Sequence, residues 1–199
     1  MIDHLIYAAP DLDEAVAAVS RRFGVRAAGG GQHLGLGTHN RLLALGSSTY
    51  LEIIAPDPGQ PEPELPRPFG VDGVTEPRLV GWAITCDDIA LAREEAVARG
   101  FDPGPVIDGQ RRTASGDVLR WRLTSNAHVG GVVPFLISWG STPSPALSAP
   151  PGLTLESLHV EHPEPALITG RLKALGADVE VLPGSAPALV ARISGQILR

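Results

Sequence analysis

Three stretches of this chain repeat one plan, and that repeat limits the fold more than any other feature. Each opens on an apolar, strand-like run: DHLIYAAP from Asp3, LVGWAITC from Leu79 and LTLESLHVEH from Leu153. Each continues into a segment with apolar residues at helical spacing: DLDEAVAAVSRRFG, DDIALAREEAVARG and PEPALITGRLKALG. Leu12, Ala15, Val16 and Val19 mark one helix face in the first segment, and Ile89, Ala92, Ala96 and Val97 in the second. Asp11 stands where an N-cap is needed and Gly24 where a helix ends. The helix-ending glycines Gly24, Gly100 and Gly176 are 76 residues apart both times (100 − 24 and 176 − 100). That period exceeds those of stacked solenoid repeats and predicts duplicated subdomains.

Short strands follow each helix. In the first unit they are expected at 31–37, 40–45 and 49–55, and in the second at 106–113, 117–124 and 132–139. DVLRWRLT alternates, with Leu119, Trp121 and Leu123 on one side and Arg120 and Arg122 on the other. The third unit has room for two, ADVEVLP and ALVARIS. Proline-dense PDPGQPEPELPRP and STPSPALSAPPG read as extended, semi-rigid connections. The expected organisation is an α+β domain over 1–140, made of βαβββ modules at 1–56 and 79–140 joined by the linker 57–78. A C-terminal βαββ half module at 153–199 packs on it.

Composition narrows the function. The formal charge of −6, with no basic run, speaks against nucleic acid and anionic membrane as partners. No apolar run approaches the roughly 20 residues of a membrane span. The N-terminus lacks the positive start of a signal peptide, and with a single cysteine, Cys86, a reducing cytoplasm is the expected setting. Lys173 is the only lysine, which removes most lysine-based chemistry.

The glycine-rich stretch GGGQHLGLGTHNRL (29–42) raises the question of a phosphate cradle. Such a cradle needs a helix N-terminus after the glycines, and here short strands follow. The glycines are better read as loop (Gly29, Gly30, Gly31) and as a bulge or tight bend (Gly35, Gly37). Glu52 is more telling. It lies between Leu51 and Ile53 in a run that would otherwise be buried, where a carboxylate costs several kcal/mol unless paired, metal-bound or solvated by a cavity. His4 shares a strand face with Ile6 and Ala8. Asp87 and Asp88 read as a helix cap with dipole complement. Arg111 and Arg112 in GQRRT are candidates for gripping a substrate carboxylate, Arg112 above all, or are solvated strand residues. Trp121 and Phe135 wall a pocket or fill the core. His39 is expected to face solvent, Cys86 to be a buried small residue, and His159 and His162 to be split in facing from Glu161.

With these features together, DHLIYAAPDLDEA, GGQHLGLGTHNRLLALG, YLEII and VVPFLISWG resemble the glyoxalase-like domain group of the vicinal oxygen chelate superfamily. The resemblance implies paired modules forming a curled mixed sheet around a pocket. It implies metal ligands on the first and fourth strands, here His4 and Glu52, holding one divalent metal (Zn, Fe, Mn or Ni). It also places His33 and Asn40 on pocket-lining strands. The second module departs from the pattern: Val80 or Gly81 stands opposite His4 and Leu136 near the Glu52 position, and none binds a metal.

Two readings remain open. One is a lyase, isomerase or dioxygenase of glyoxalase type, with Glu52 and His4 catalytic and His33, Asn40, Arg112, Trp121 and Phe135 binding substrate. In it a metal polarises a carbonyl, or Glu52 acts as a general base without metal. The other is a non-catalytic protein that binds or sequesters a small molecule. The third unit either covers a sheet edge or contributes to a homodimer.

Overall fold

The computed structural model describes residues 1–113, 115–125 and 131–199. The first unit runs β1 (Ile2–Ala8), α1 (Leu12–Phe23), β2 (Ala28–His33), β3 (Thr38–Ala44) and β4 (Tyr50–Pro56). The second repeats that order with β5 (Arg78–Thr85), α2 (Ile89–Ala98), β6 (Val106–Thr113), β7 (Val118–Thr124) and β8 (Phe135–Ser138). The Asp11 side chain accepts from the Glu14 amide and caps α1, while Asp88 caps α2 through the Ala90 and Leu91 amides. Gly24, Gly100 and Gly176 all have left-handed backbones that stop the helices.

The eight strands close into a barrel in the order β1-β4-β3-β2-β6-β7-β8-β5. Within each unit the first and fourth strands pair in parallel, β1 with β4 and β5 with β8. The units meet antiparallel at two seams, β1 with β5 and β2 with β6. The glycine run works at the second seam, and its parts trade the expected roles. Gly35 and Gly37 lie in the turn between β2 and β3, whereas Gly29 to Gly31 lie within β2, where the register against β3 shifts. A Cβ on Gly31 would lie 1.8 Å from the Arg112 carbonyl oxygen, so only glycine lets β2 approach β6 closely enough to shut the barrel.

Strand alternation sorts the side chains into two apolar zones. Leu5, Leu51, Ile53, Trp82, Ile84 and Leu136 point outward and pack with α1, α2 and the C-terminal unit in one continuous core. Each such fully buried side chain contributes roughly 1.5–3 kcal/mol. Ile6, Ala8, Ile54, Ala83, Phe135 and Ile137 point inward, toward Val71 and Val74 of the connection between the units.

The third unit forms its own four-stranded sheet, β10-β9-β11-β12, beside α3 (Pro165–Ala174). Its strands are β9 (Leu155–His162), β10 (Glu180–Pro183), β11 (Ala188–Ile193) and β12 (Gln196–Leu198). The three-residue β12 is one strand more than the sequence predicts. Val160, Ile168, Leu172 and Leu189 join the core outside the barrel, and the Leu79 amide of β5 donates to the Arg199 carbonyl at 2.9 Å. Among the described residues no helix is long and apolar enough to cross a membrane.

Both proline-rich connections lie against the barrel. A short helical turn over Pro68–Gly73 brings Pro68 and Phe69 to the mouth of the interior. Arg67 ties this strap down by pairing with Glu62 and Asp72 and donating to the Gly37 carbonyl. The second connection buries Ala146 and Ala149 on Leu42, Ala44 and Tyr50, and its Pro150 carbonyl accepts from the Ala44 amide.

Candidate active site

The barrel encloses a cavity of about 300 Å³. Its buried histidines, asparagine, tyrosine and glutamate come from the first unit, while Asp108, Arg111, Thr124 and Ser125 of the second also reach it. β1 supplies His4, β2 His33, β3 Asn40 and β4 both Tyr50 and Glu52, all buried. Parity explains the set, since these residues alternate with the outward core positions Leu5, Leu43, Leu51 and Ile53.

Glu52 is the centre of the cluster. Its Oε1 accepts from Asn40 Nδ2 at 2.6 Å and lies 3.7 Å from His33 Nε2, while its Oε2 lies 3.7 Å from His4 Nε2. The hydrogen bond from Asn40 offsets part of the cost of burying the carboxylate. Asn40 is itself oriented, because its Oδ1 accepts from the Gly31 amide at 2.9 Å and from Arg111 Nη1 at 3.2 Å. A Cβ on Gly30 would lie 2.6 Å from that Oδ1, so the glycines of β2 also clear room for the Asn40 amide.

The second ring nitrogen of each histidine is engaged. His4 Nδ1 lies 2.6 Å from Asp3 Oδ1, and Asp3 Oδ2 accepts from Trp139 Nε1 at 3.0 Å. This leaves His4 Nε2 for the cavity. The ring stacks on Tyr50 at 4.7 Å and meets the Phe135 ring edge-on. His33 Nδ1 pairs with Thr38 Oγ1 at 3.0 Å, and its ring meets Trp121 edge-on. Burial pushes the His33 pKa down, with the Glu52 charge opposing, so this imidazole is held toward its neutral form. The Tyr50 phenol is pushed well above its usual value by burial and by the charges of Glu52 and Asp3, and stays protonated.

The opposite wall belongs to the second unit and the straps. Phe135, Ile137, Trp121, Leu123 and Trp139 line it with Phe69. The Trp121 and Trp139 rings lie 5.4 Å apart, and Phe69 stacks on Phe135 at 5.7 Å.

The structure thus brings His4, Glu52, His33, Asn40, Trp121 and Phe135 to one cavity. Arg112 is the correction. It is exposed on the outer side of β6, and its neighbour Arg111 is the buried cavity residue. Pairing across β6 and β7 sets Gly109 against Trp121 and Arg111 against Leu119, and directly opposed residues share a face. The alternation in DVLRWRLT therefore carried the signal, through the hairpin rather than through GQRRT alone. The equivalence drawn for the second module also moves by one on its last strand. Leu136 packs outward, and Phe135 and Ile137 are the inward residues there.

Asp3 was missed because strict alternation sets it opposite His4. The register of β1 against β5 shifts between Ile2 and His4, which ends that strict alternation at Asp3. Trp139 and Tyr50 carried no signal beyond being aromatic. His39 lies 3.7 Å from Asp57, away from the cavity. His159 shares a strand face with Glu161, 3.7 Å away, contrary to the split in facing expected for it, and His162 accepts from the Glu164 amide, both in the other sheet. Cys86 is half-buried, and burial raises its thiol to about 11.

A divalent metal is implied by the resemblance, and the donor set does not fit one. Among the described residues no group of three or more His, Cys, Asp or Glu is placed to hold an ion. The facing positions Gly81, Ala83, Phe135 and Ile137 carry no donor, and the Arg111 guanidinium already brings positive charge to the Asn40–Glu52 cluster.

Comparison with known proteins agrees with this architecture. The family model of a glyoxalase-like domain matches residues 2–176. None of the curated proteins matches this chain. A hypothetical protein from Staphylococcus aureus superposes with a TM-score of 0.68 at 14% identity, over 94% of this chain and 87% of that one. A mutant 4-hydroxymandelate synthase from Streptomyces coelicolor gives 0.55 at 16% identity, over 87% of this chain and 51% of that one. Methylmalonyl-CoA epimerase from Mycobacterium tuberculosis gives 0.47 at 21% identity, over 74% and 90%. The fold is that of the vicinal oxygen chelate superfamily, and at these identities the structural likeness speaks for fold alone.

Proposed function

The chain belongs to the glyoxalase-like domain family, and from that premise we propose that it is a small-molecule enzyme that moves a proton at a carbon beside a carbonyl, with Glu52 as the base. One observation carries this reading. A buried carboxylate, held at one oxygen by Asn40 and flanked by two imidazoles, faces a cavity whose other wall is aromatic.

The chemistry follows from those groups. Glu52 Oε2 takes the proton as the carbon–hydrogen bond breaks. The electron pair forms a carbon–carbon double bond, and negative charge moves onto the carbonyl oxygen. Arg111 supplies positive charge to the same cluster without itself transferring a proton. His4, with Nδ1 directed at Asp3, presents Nε2 beside Glu52 and relays the proton onward or returns it to the substrate. The aromatic wall excludes water and strengthens these electrostatic interactions.

The test is hydrogen exchange in D₂O, followed by NMR, on a panel of 2-oxo acids and α-hydroxyketones. Exchange catalysed by the protein, abolished in Glu52→Gln and retained after treatment with a chelator, is the expected result. Exchange that disappears with the chelator would return the chemistry to a metal.

The apolar second half favours a second reading, a non-catalytic binding protein. In it Glu52, His4 and Asn40 orient a ligand against Trp121. Saturable binding of a panel member with no exchange above the solvent rate establishes that reading instead.

A further inference from the structure

The cavity holds one cation that has no carboxylate of its own. Arg111 is 5% exposed, and its only described hydrogen bond runs from Nη1 to Asn40 Oδ1. No described carboxylate lies within ion-pair distance of it. Asn40 stands between the two charges, accepting from Arg111 and donating to Glu52. A guanidinium carries five N–H donors in a planar fork. Arg171 Nη1 is the one described side-chain nitrogen or oxygen that is both buried and unpartnered. The unpaired nitrogens of Arg111 therefore still touch open space, and Arg111 is one of the residues that line the cavity. Burial lowers the pKa of this group while the Glu52 charge raises it, and arginine stays charged under such conditions.

A buried, unpaired cation is costly unless something neutralises it. The rest of the cavity sets the shape of that counterpart. Trp121, Trp139, Phe135 and Phe69 offer flat apolar faces, and the volume of about 300 Å³ is at the small end for ligand sites. A second acidic group would meet Glu52, so a single negative charge is favoured.

We propose that Arg111 is the receptor for the carboxylate of a small aromatic monocarboxylate, gripped at the cavity wall with its ring against Trp121. The inference rests on the proposed reaction only in naming its substrate class. Asn40 links Arg111 to Glu52, so a ligand held by the fork lies beside the proposed base.

Binding is tested separately from reaction. The cavity tryptophans report occupancy by fluorescence, and the probes are phenylacetate, its neutral counterpart phenylacetamide, and acetate. Phenylacetate is expected to bind saturably and at least about tenfold more tightly than phenylacetamide, a tenfold ratio being roughly 1.4 kcal/mol. Acetate is expected to bind weakest. Arg111→Gln should erase the preference for the acid, Arg111→Lys should retain part of it, and Arg112→Gln should leave it unchanged. Circular dichroism checks that each variant is folded, and Arg111→Lys carries the test should the glutamine variant fail to fold. Equal binding of acid and amide, no binding of either, a preference that survives in folded Arg111→Gln, or one that is undiminished in Arg111→Lys overturns the proposal. Hydrogen exchange can fail while this selectivity holds, which would sink the reaction and keep the receptor. Loss of selectivity with exchange intact would do the reverse.

Discussion

The two halves of the barrel share a backbone plan and differ in what they show to its interior. On the outer face they match: Leu5 of β1 and Trp82 of β5 are both fully buried against helices, and both belong to the same core. On the inner face the first half presents His4, His33, Asn40 and Glu52, and the second presents Ala83, Trp121, Phe135 and Ile137. The outward positions are apolar in both halves because they pack into the core that holds the fold together. One half presents a polar, titratable surface to the cavity and the other a largely apolar one. Arg111, which lines the cavity from the second half together with Asp108, Thr124 and Ser125, hydrogen-bonds into the polar cluster of the first.

The sharpest way to break this contrast is Glu52→Gln. It should lower proton exchange by about 10²- to 10⁴-fold, the usual contribution of a positioned base, with little change in the thermal midpoint. A fall in rate matched by unfolding would mean that the inner wall is structural after all. Next come the outer faces. Trp82→Ala removes a ring whose Nε1 donates to the Val132 carbonyl, and should cost about 3–5 kcal/mol in denaturant titrations; Leu5→Ala should cost about 2–5 kcal/mol. If one half tolerated its substitution and the other did not, the two outer faces would not be equivalent.

Asp3→Asn comes third. Replacing the carboxylate behind His4 should cut exchange about tenfold, roughly 1.4 kcal/mol, and displace the pH–rate profile. An unshifted profile with only a lower rate would reduce Asp3 to a structural partner.

His33 gives a smaller effect on stability. Burial pushes its pKa below the usual 6.5, so under acid the unfolded chain takes up a proton that the folded chain refuses. Stability is complete above that value and declines as the pH falls below it. His33→Asn should flatten this decline in thermal melts taken from pH 8 to pH 5, and an identical slope in both proteins would contradict the assignment. The smallest effect concerns Cys86. With its thiol raised to about 11 by burial first and by Asp87 and Asp88 next, alkylation by iodoacetamide at pH 8 should be much slower than for free cysteine.

Much of this was legible before any coordinates. The 76-residue spacing of the helix-ending glycines and the caps Asp11 and Asp88 announced repeated strand–helix–strand units. An acid between Leu51 and Ile53, and a histidine in phase with Ile6, marked two inward positions because strand alternation is a local rule. What failed was non-local or broke that rule. The choice between Arg111 and Arg112 depended on which residue of β7 each faced. Asp3 came to His4 only because the register slips at that point. The proline-rich stretches looked like spacers, since nothing in their composition says what they will lie against.

The sequence by itself determined the elements, their order, their outward apolar faces and the residue types available for chemistry, because these depend on spacing over a few residues. Only the tertiary structure decided that β2 meets β6 through Gly31, that two straps cover the mouth, and that Asn40 stands between Arg111 and Glu52. Those outcomes rest on which distant strands pair and in what register. That is fixed by the cooperative burial of the whole core, and no short window of residues contains it.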